Sequence, residues 1–169
     1  MIFDFDPWKL DVDVNLTKQL YQEVNYSTDI VANKEFINSL SLKQQRFFTS
    51  LGVDLTKIDV DKMMYQVPEE ENIPSFKIYR MTINFMLKGK ILQLPQYQKD
   101  LYSYPDIFGT NFPKSIQVST SKKDYFNTFN NGIGLDIVFK HPYFHFDDAI
   151  FKTWDCGYIL GTILIIKND

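Results

Sequence analysis

Four aspartates stand in two D-x-D pairs near the start of the chain, in the stretch DFDPWKLDVDVNLT from Asp4 to Thr17. Paired carboxylates at that spacing, delivered by an apolar strand to the carboxyl end of a parallel sheet, are how an aspartate-nucleophile phosphatase presents its nucleophile. The setting here does not suit that chemistry. Only Ile2 and Phe3 prepare the approach to Asp4, and Pro7 and Lys9 interrupt the approach to Asp11. No strand–helix alternation follows to position the lysine and further acids that such an enzyme uses. Acids at alternate positions on the outer face of an edge strand explain the pattern without catalysis, because they solvate the strand and discourage edge-to-edge pairing.

A second cluster, HPYFHFDD, runs from His141 to Asp148 and holds both histidines of the chain. His141, His145, Asp147 and Asp148 are the candidate metal ligands, since imidazole nitrogens and carboxylate oxygens suit zinc or manganese. Pro142 forbids a regular helix carrying both imidazoles on one turn. On a strand, positions four apart share a face but lie roughly 13 Å apart, too far for one ion. Only a tight turn gathering His145, Asp147 and Asp148 would build a site. The competing reading makes the two imidazoles partly buried fillers in an aromatic cluster. Cys156, the single cysteine, follows Asp155, and a neighbouring acid raises a thiol's pKa, the wrong direction for a nucleophile. It reads as a small buried hydrophobe. Nothing resembles a phosphate-binding loop, a dinucleotide fingerprint or a nucleophile elbow, so no catalytic residue and no cofactor is assigned.

The remaining signal is aromatic. Between Tyr125 and Trp154 the sequence spends nine aromatic residues, among them Tyr143, Phe144, Phe146 and Trp154. Neighbours such as Tyr143 and Phe144 point to opposite faces of a strand, so one core does not easily hold them all. Surplus surface aromatics are what protein-binding hot spots use, and these four are the candidate protein-binding residues.

Bulk properties narrow the field. A chain of 169 residues, 44% hydrophobic, with 15 Phe and 10 Tyr, fits one domain over 1–169 with a sizeable core. Net charge −3 lacks the basic stripe of a nucleic-acid binder, and 16 Lys to 2 Arg is a poor composition for bidentate phosphate contacts. One cysteine points to a reducing compartment. The longest apolar run, Tyr158 to Ile166, is half a membrane span at most. The expectation is a cytoplasmic protein with no membrane partner; the sequence leaves its oligomeric state open.

The elements follow from periodicity. Leu10, Val12 and Val14 alternate with polar residues as a half-buried strand, after which Asn15 is positioned to cap a helix with Leu16, Leu20 and Val24 as its buried stripe. A second helix from Asn33 places Phe36, Ile37 and Leu40 on one side. Ser41 and Gln44 form a capping box for a third, whose apolar face is Phe47, Phe48 and Leu51 and whose end is Gly52. Pro68 to Pro74 is a solvated loop. Tyr79, Met81, Ile83, Phe85 and Leu87 alternate as a strand, with Lys88-Gly89-Lys90 as a turn or bulge. Pro95 to Pro113 reads as a long loop, Ile116 to Thr120 as a strand and Phe129 to Gly132 as a turn. Leu135, Ile137 and Phe139 form the inward face of the next strand, and Tyr158 to Ile166 a buried strand with a break at Gly161. Helices early and strands later predict an α+β fold: N-terminal helices packed on a largely antiparallel, twisted β-sheet.

The N-terminal pattern resembles a family of small uncharacterised bacterial proteins. The shared residues are Asp4-Phe5-Asp6, Leu10, Val12-Asp13-Val14, Thr17, Tyr21, Phe36, Phe48, Leu51-Gly52-Val53-Asp54, Lys57 and the strand Tyr79 to Leu87. Members of that family often carry a cysteine cluster before the position of Phe36, where this chain reads STDIVANKEF. The resemblance implies a bacterial intracellular protein with a compact α+β fold, and it carries no activity.

The sequence therefore points to a non-catalytic protein-binding protein, with a toxin or enzyme as partner and an immunity or inhibitor role as the concrete form. The alternative is a small metal-assisted hydrolase using His141, His145, Asp147 and Asp148. Titrating zinc or manganese into the full chain separates the two. The binding reading expects an unchanged thermal midpoint, whereas the hydrolase gives a rise that His145→Ala removes.

Overall fold

The computed structural model describes residues 1–71, 74–95, 133–141 and 157–168. The fold is α+β, with three helices and a largely antiparallel, open sheet of six strands among the described residues. The elements are β1 (Ile2–Phe5), β2 (Trp8–Val12), α1 (Val14–Glu23), α2 (Ile30–Ser39), α3 (Leu42–Ser50), β3 (Asp59–Val67), β4 (Phe76–Gln93), β5 (Ile137–Lys140) and β6 (Tyr158–Asn168). A 3₁₀ turn at Leu55–Lys57 leads into β3.

β4 organises the sheet. Its 18 residues pair with β6 from Ile78 to Lys88, with β3 from Phe76 to Asn84, and with β2 from Gly89 to Gln93. β5 and β1 lie on the outer sides of β6 and β2. Lys88-Gly89-Lys90 is not a turn: the strand runs straight through. A Cβ at Gly89 would sit 2.1 Å from the carbonyl oxygen of Asp11, so glycine is there to let β2 come close. Likewise β6 is unbroken at Gly161, where a Cβ would lie 2.1 Å from the ring of Phe85. In both places the missing side chain makes room for a neighbour.

β3 and β2 lie along the same side of β4, opposite β6, and between them the N–H groups of Met86 and Lys88 point to that side with no described strand to meet them. α1 fills that gap. Tyr21 Oη accepts the backbone N–H of Met86 at 2.8 Å. Thr17 Oγ1 accepts the N–H of Lys88 at 3.0 Å while donating to the carbonyl of Asp13 at 2.8 Å. The N–H of Asp13 in turn reaches the carbonyl of Lys88 at 2.8 Å. Thr17 and Tyr21 stand one helical turn apart, so both face the strand edge together.

That geometry corrects the expected start of α1. The N-cap is Asp13, whose carboxylate accepts the N–H of Leu16 at 2.9 Å, and not Asn15. Asp is as good a cap as Asn, and its charge suits the helix N-terminus. Starting the helix earlier turns Thr17, Leu20 and Tyr21 inward and leaves Leu16 47% exposed.

α3 follows its expected capping box: Gln44 N–H meets Ser41 Oγ, and Ser41 N–H meets Gln44 Oε1 at 2.8 Å. The same Gln44 amide donates to the carbonyl of Ile133, tying the helix to the segment that leads into β5. Gly52 ends α3 at positive φ and sits against the first turn of α1, where a Cβ would be 2.5 Å from the carbonyl of Val14. α2 is anchored by buried Asn33, whose amide donates to the carbonyls of Leu55 and Ile58.

The helices cover one face of the sheet over a core dominated by aromatic rings. Phe85 meets Phe48 edge-on at 5.2 Å and Phe139 at 6.3 Å, and Phe139 stacks on Phe5 at 5.3 Å. Leu135, Ile137 and Phe139 all face this core, as the alternation predicts. On the reverse face a smaller cluster joins Leu20, Met86 and Leu160.

Burial pushes the Tyr21 phenol far above its ordinary value, against a smaller lowering from its bond to Met86. A phenol whose folded pKa is raised adds stability below the ordinary value of about 10 and loses it as pH climbs above that. Tyr21→Phe leaves the Met86 N–H without a partner and is expected to cost about 1–3 kcal/mol in denaturant unfolding at neutral pH. The gap between wild type and variant should narrow above about pH 10, because only the wild type must keep the phenol protonated.

Candidate functional site

The four aspartates do not form one site. Asp4 is exposed on β1, at one edge of the sheet, and Asp6 lies in the turn that joins β1 to β2. Asp11 pairs with the terminal ammonium at 3.1 Å, and Asp13 caps α1. No three His, Cys, Asp or Glu side chains gather as a metal requires among the described residues. His141 immediately follows β5; His145, Asp147 and Asp148 lie outside the described residues, as do Tyr143, Phe144, Phe146, Trp154 and Cys156.

What the fold does display is the far end of the β3–β4–β6 sheet. There the strands run on past the helices and carry apolar side chains into solvent. Met63 is 40% exposed, Met64 56%, Tyr65 45% and Ile166 58%. Their placement follows from the register. Met63 faces Arg80 across the β3–β4 ladder, Arg80 faces Ile166 across β4–β6, and Tyr65 faces Ile78. The guanidinium of Arg80 lies 5.7 Å from the centre of the Tyr65 ring, and one of its terminal nitrogens reaches Met63 Sδ at 3.1 Å. Arg80 Nε is buried without a hydrogen-bond partner. On the opposite face, Met64 lies across from Tyr79, which lies across from Lys167.

The outer edge of β3 is also defined by the hydrogen-bond pattern. Met86 and Lys88 direct their N–H groups toward α1, whereas Gly89 directs its N–H to Gly157 at the head of β6. Since bonding directions alternate along a strand, the even-numbered residues of β4 from Phe76 to Asn84 bond β3. Their partners are Asp59, Asp61, Met63, Tyr65 and Val67. Val60, Lys62, Met64 and Gln66 therefore aim their backbone groups outward, and among the described residues no strand pairs with them.

Nearer the helices the sheet surface becomes polar and satisfied. Asp59 accepts hydrogen bonds from Thr28 at 3.1 Å and Asn84 at 3.3 Å, and Thr162 donates to Asn84 at 3.0 Å. Lys62 meets Glu35 of α2 at 2.6 Å, and that hydrogen bond holds the amine above its ordinary pKa. On β5, burial lowers the pKa of Lys140.

β3 itself was not legible as a strand, and with it the exposed methionines were missed. The available signal was Met63, Tyr65 and Val67 alternating with Lys62, Met64 and Gln66 up to the stop at Pro68. Met64 breaks the alternation by adding an apolar residue to the other face. No helix among the described residues is long and apolar enough to cross a membrane. In comparisons with known proteins, no family model, no curated protein and no solved structure matches the chain.

If these side chains are surface and not core, their removal leaves folding untouched. Met64→Ser and Tyr65→Ser are expected to stay within about 0.5 kcal/mol of wild type in urea unfolding. Ile83→Ala, on the strand behind them but buried, should cost about 2–5 kcal/mol.

Proposed function

We propose that the chain is a non-catalytic protein-binding protein of the bacterial cytoplasm, an immunity or inhibitor protein that engages a toxin or enzyme. The observation that carries this reading is the end of the β3–β4–β6 sheet that no helix covers among the described residues. It combines a strand edge that has no partner among the other described strands with Met63, Met64, Tyr65 and Ile166 in solvent. Methionine, tyrosine and arginine are enriched where proteins meet, methionine because its flexible thioether adapts to a partner's shape. Arg80 lies between Met63 and Ile166, with its charge spread over the Tyr65 ring. Tyr and Arg together are typical hot-spot anchors.

The aromatic segment containing Tyr143, Phe144, Phe146 and Trp154 stays a candidate second contact on composition alone. The alternative, a metal-assisted hydrolase built on His141, His145, Asp147 and Asp148, rests on sequence alone, since the last three lie outside the described residues.

Immobilised full chain and its Met64→Lys/Tyr65→Ser variant, exposed to extract of the protein's own cells, test the reading. A partner retained in stoichiometric amount by the wild type and bound at least about tenfold more weakly by the equally folded variant is expected. A partner held equally by both, or no partner on the wild type, would overturn it.

A further inference from the structure

We propose that the outer edge of β3 takes up an extended segment of the partner as an added strand, and that this segment has an apolar centre flanked by lysine or arginine. This rests on the protein-binding reading above and gives it a binding mode and a partner chemistry.

The mode comes from the backbone. Beyond Val60, which is fully covered, Lys62, Met64 and Gln66 present exposed donors and acceptors outward along a strand of nine residues, with no proline between Asp59 and Val67. Natural sheets usually guard such an edge with charge, a bulge or a cover. Here the register with β4 is continuous, and the stretch Met63–Val67 has no charged residue. Strand addition uses the outward backbone groups for affinity and the side chains on both faces for selection.

The partner chemistry comes from charge. From Asp59 to Glu71 the edge strand and its turn carry Asp59, Asp61, Glu69, Glu70 and Glu71 against a single cation, Lys62. That cation is already paired with Glu35. Asp61 and the three glutamates are exposed, one at the start of the uncharged stretch and three beyond its end. The cations Lys77 and Arg80 belong to β4, one strand further in, where Arg80 is turned onto Tyr65. At roughly 3.3 Å per residue, a strand of about seven residues laid against Lys62–Gln66 spans Asp61 to Val67, with one end beside Asp61 and the other two residues short of Glu69, within reach of a long basic side chain. Basic residues at those ends complete the surface, and acidic ones are repelled.

The same charges disfavour a second copy as the occupant. Two-fold antiparallel pairing of β3 with itself about Met64 sets Glu69 of each copy beside Asp59 of the other. Like charges directly opposite one another destabilise a strand pair.

Selection from a random decapeptide library displayed on phage, against the immobilised full chain, tests the proposal. Met64→Pro serves as the counter-target, since it removes an outward N–H without touching a β3–β4 bond. Enriched peptides are expected to alternate apolar with small or polar residues between Lys or Arg ends. They should bind at least about tenfold more weakly to Met64→Pro, and more weakly again at low salt to Glu70→Lys/Glu71→Lys. Should Met64→Pro fail to fold, the double lysine variant, at two exposed positions, decides alone. Enrichment of acidic or neutral ends, equal binding to the variants, or no enrichment overturns the proposal. So does a wild-type dimer in sedimentation that Met64→Pro abolishes, which would make a second copy the occupant. Suppose instead that the cellular partner is lost by Met64→Lys/Tyr65→Ser yet held at full affinity by Met64→Pro. Then protein binding stands and strand addition falls.

Discussion

The fold depends on how the edge of β4 is completed between β3 and β2. Two backbone N–H groups there, of Met86 and Lys88, have no strand beside them, and α1 supplies a phenol oxygen and a hydroxyl oxygen instead. An unpaired buried N–H costs about 1–3 kcal/mol, so the gap is tolerable only if the helix is held in place. Its position is fixed at both ends. Asp13 caps it while bonding Lys88, and the Lys57 ammonium reaches the Tyr21 carbonyl at its last turn, where a cation suits the helix dipole. Gly52 lets α3 close down on the first turn. A helix edge thus substitutes for a strand, and the two flanking strands are free to diverge in role.

β2 and its neighbour β1 belong to the covered part of the sheet, where Phe5 of β1 and Trp8, Leu10 and Val12 of β2 are buried. β3 pairs with the other half of β4, extends past α1, α2 and α3, and is buried only at its start: Val60 is fully covered while Met63 to Tyr65 are exposed. The strand is anchored by Val60 in the core and by the Asp59–Thr28 and Asp59–Asn84 bonds, so its exposed half is presented by a rigid base. This division links folding to the proposed binding role: the core fixes one half of the strand, and the other half is offered to a partner.

Sequence periodicity shows much of this and misses it in instructive places. The capping box of α3 and the alternation from Tyr79 to Leu87 are visible because each depends on neighbours in the chain. The same holds for Leu135, Ile137 and Phe139. Gly89 and Gly161 look like breaks, yet each clears space for a side chain or carbonyl distant in sequence, which no local pattern reveals. Thr17 and Tyr21 look like ordinary helix residues; their task is set by the edge of β4. β3 escapes notice because only one half of it is buried, so its hydrophobic period never runs the length of the strand. The D-x-D pairs are legible as structural acids, but the role of one of them, Asp13, as the cap of α1 in place of Asn15 is not.

The central claim is that β3 has one edge bonded and one edge open in a stably folded chain. Amide hydrogen exchange on the isolated protein at low concentration measures this directly. Val67, Tyr65, Met63 and Asp61 should be protected with Met86 and Lys88, while Gln66, Met64 and Lys62 exchange far faster. Protection of Met64 and Gln66 equal to that of their neighbours would mean the edge is already covered, and would contradict the account.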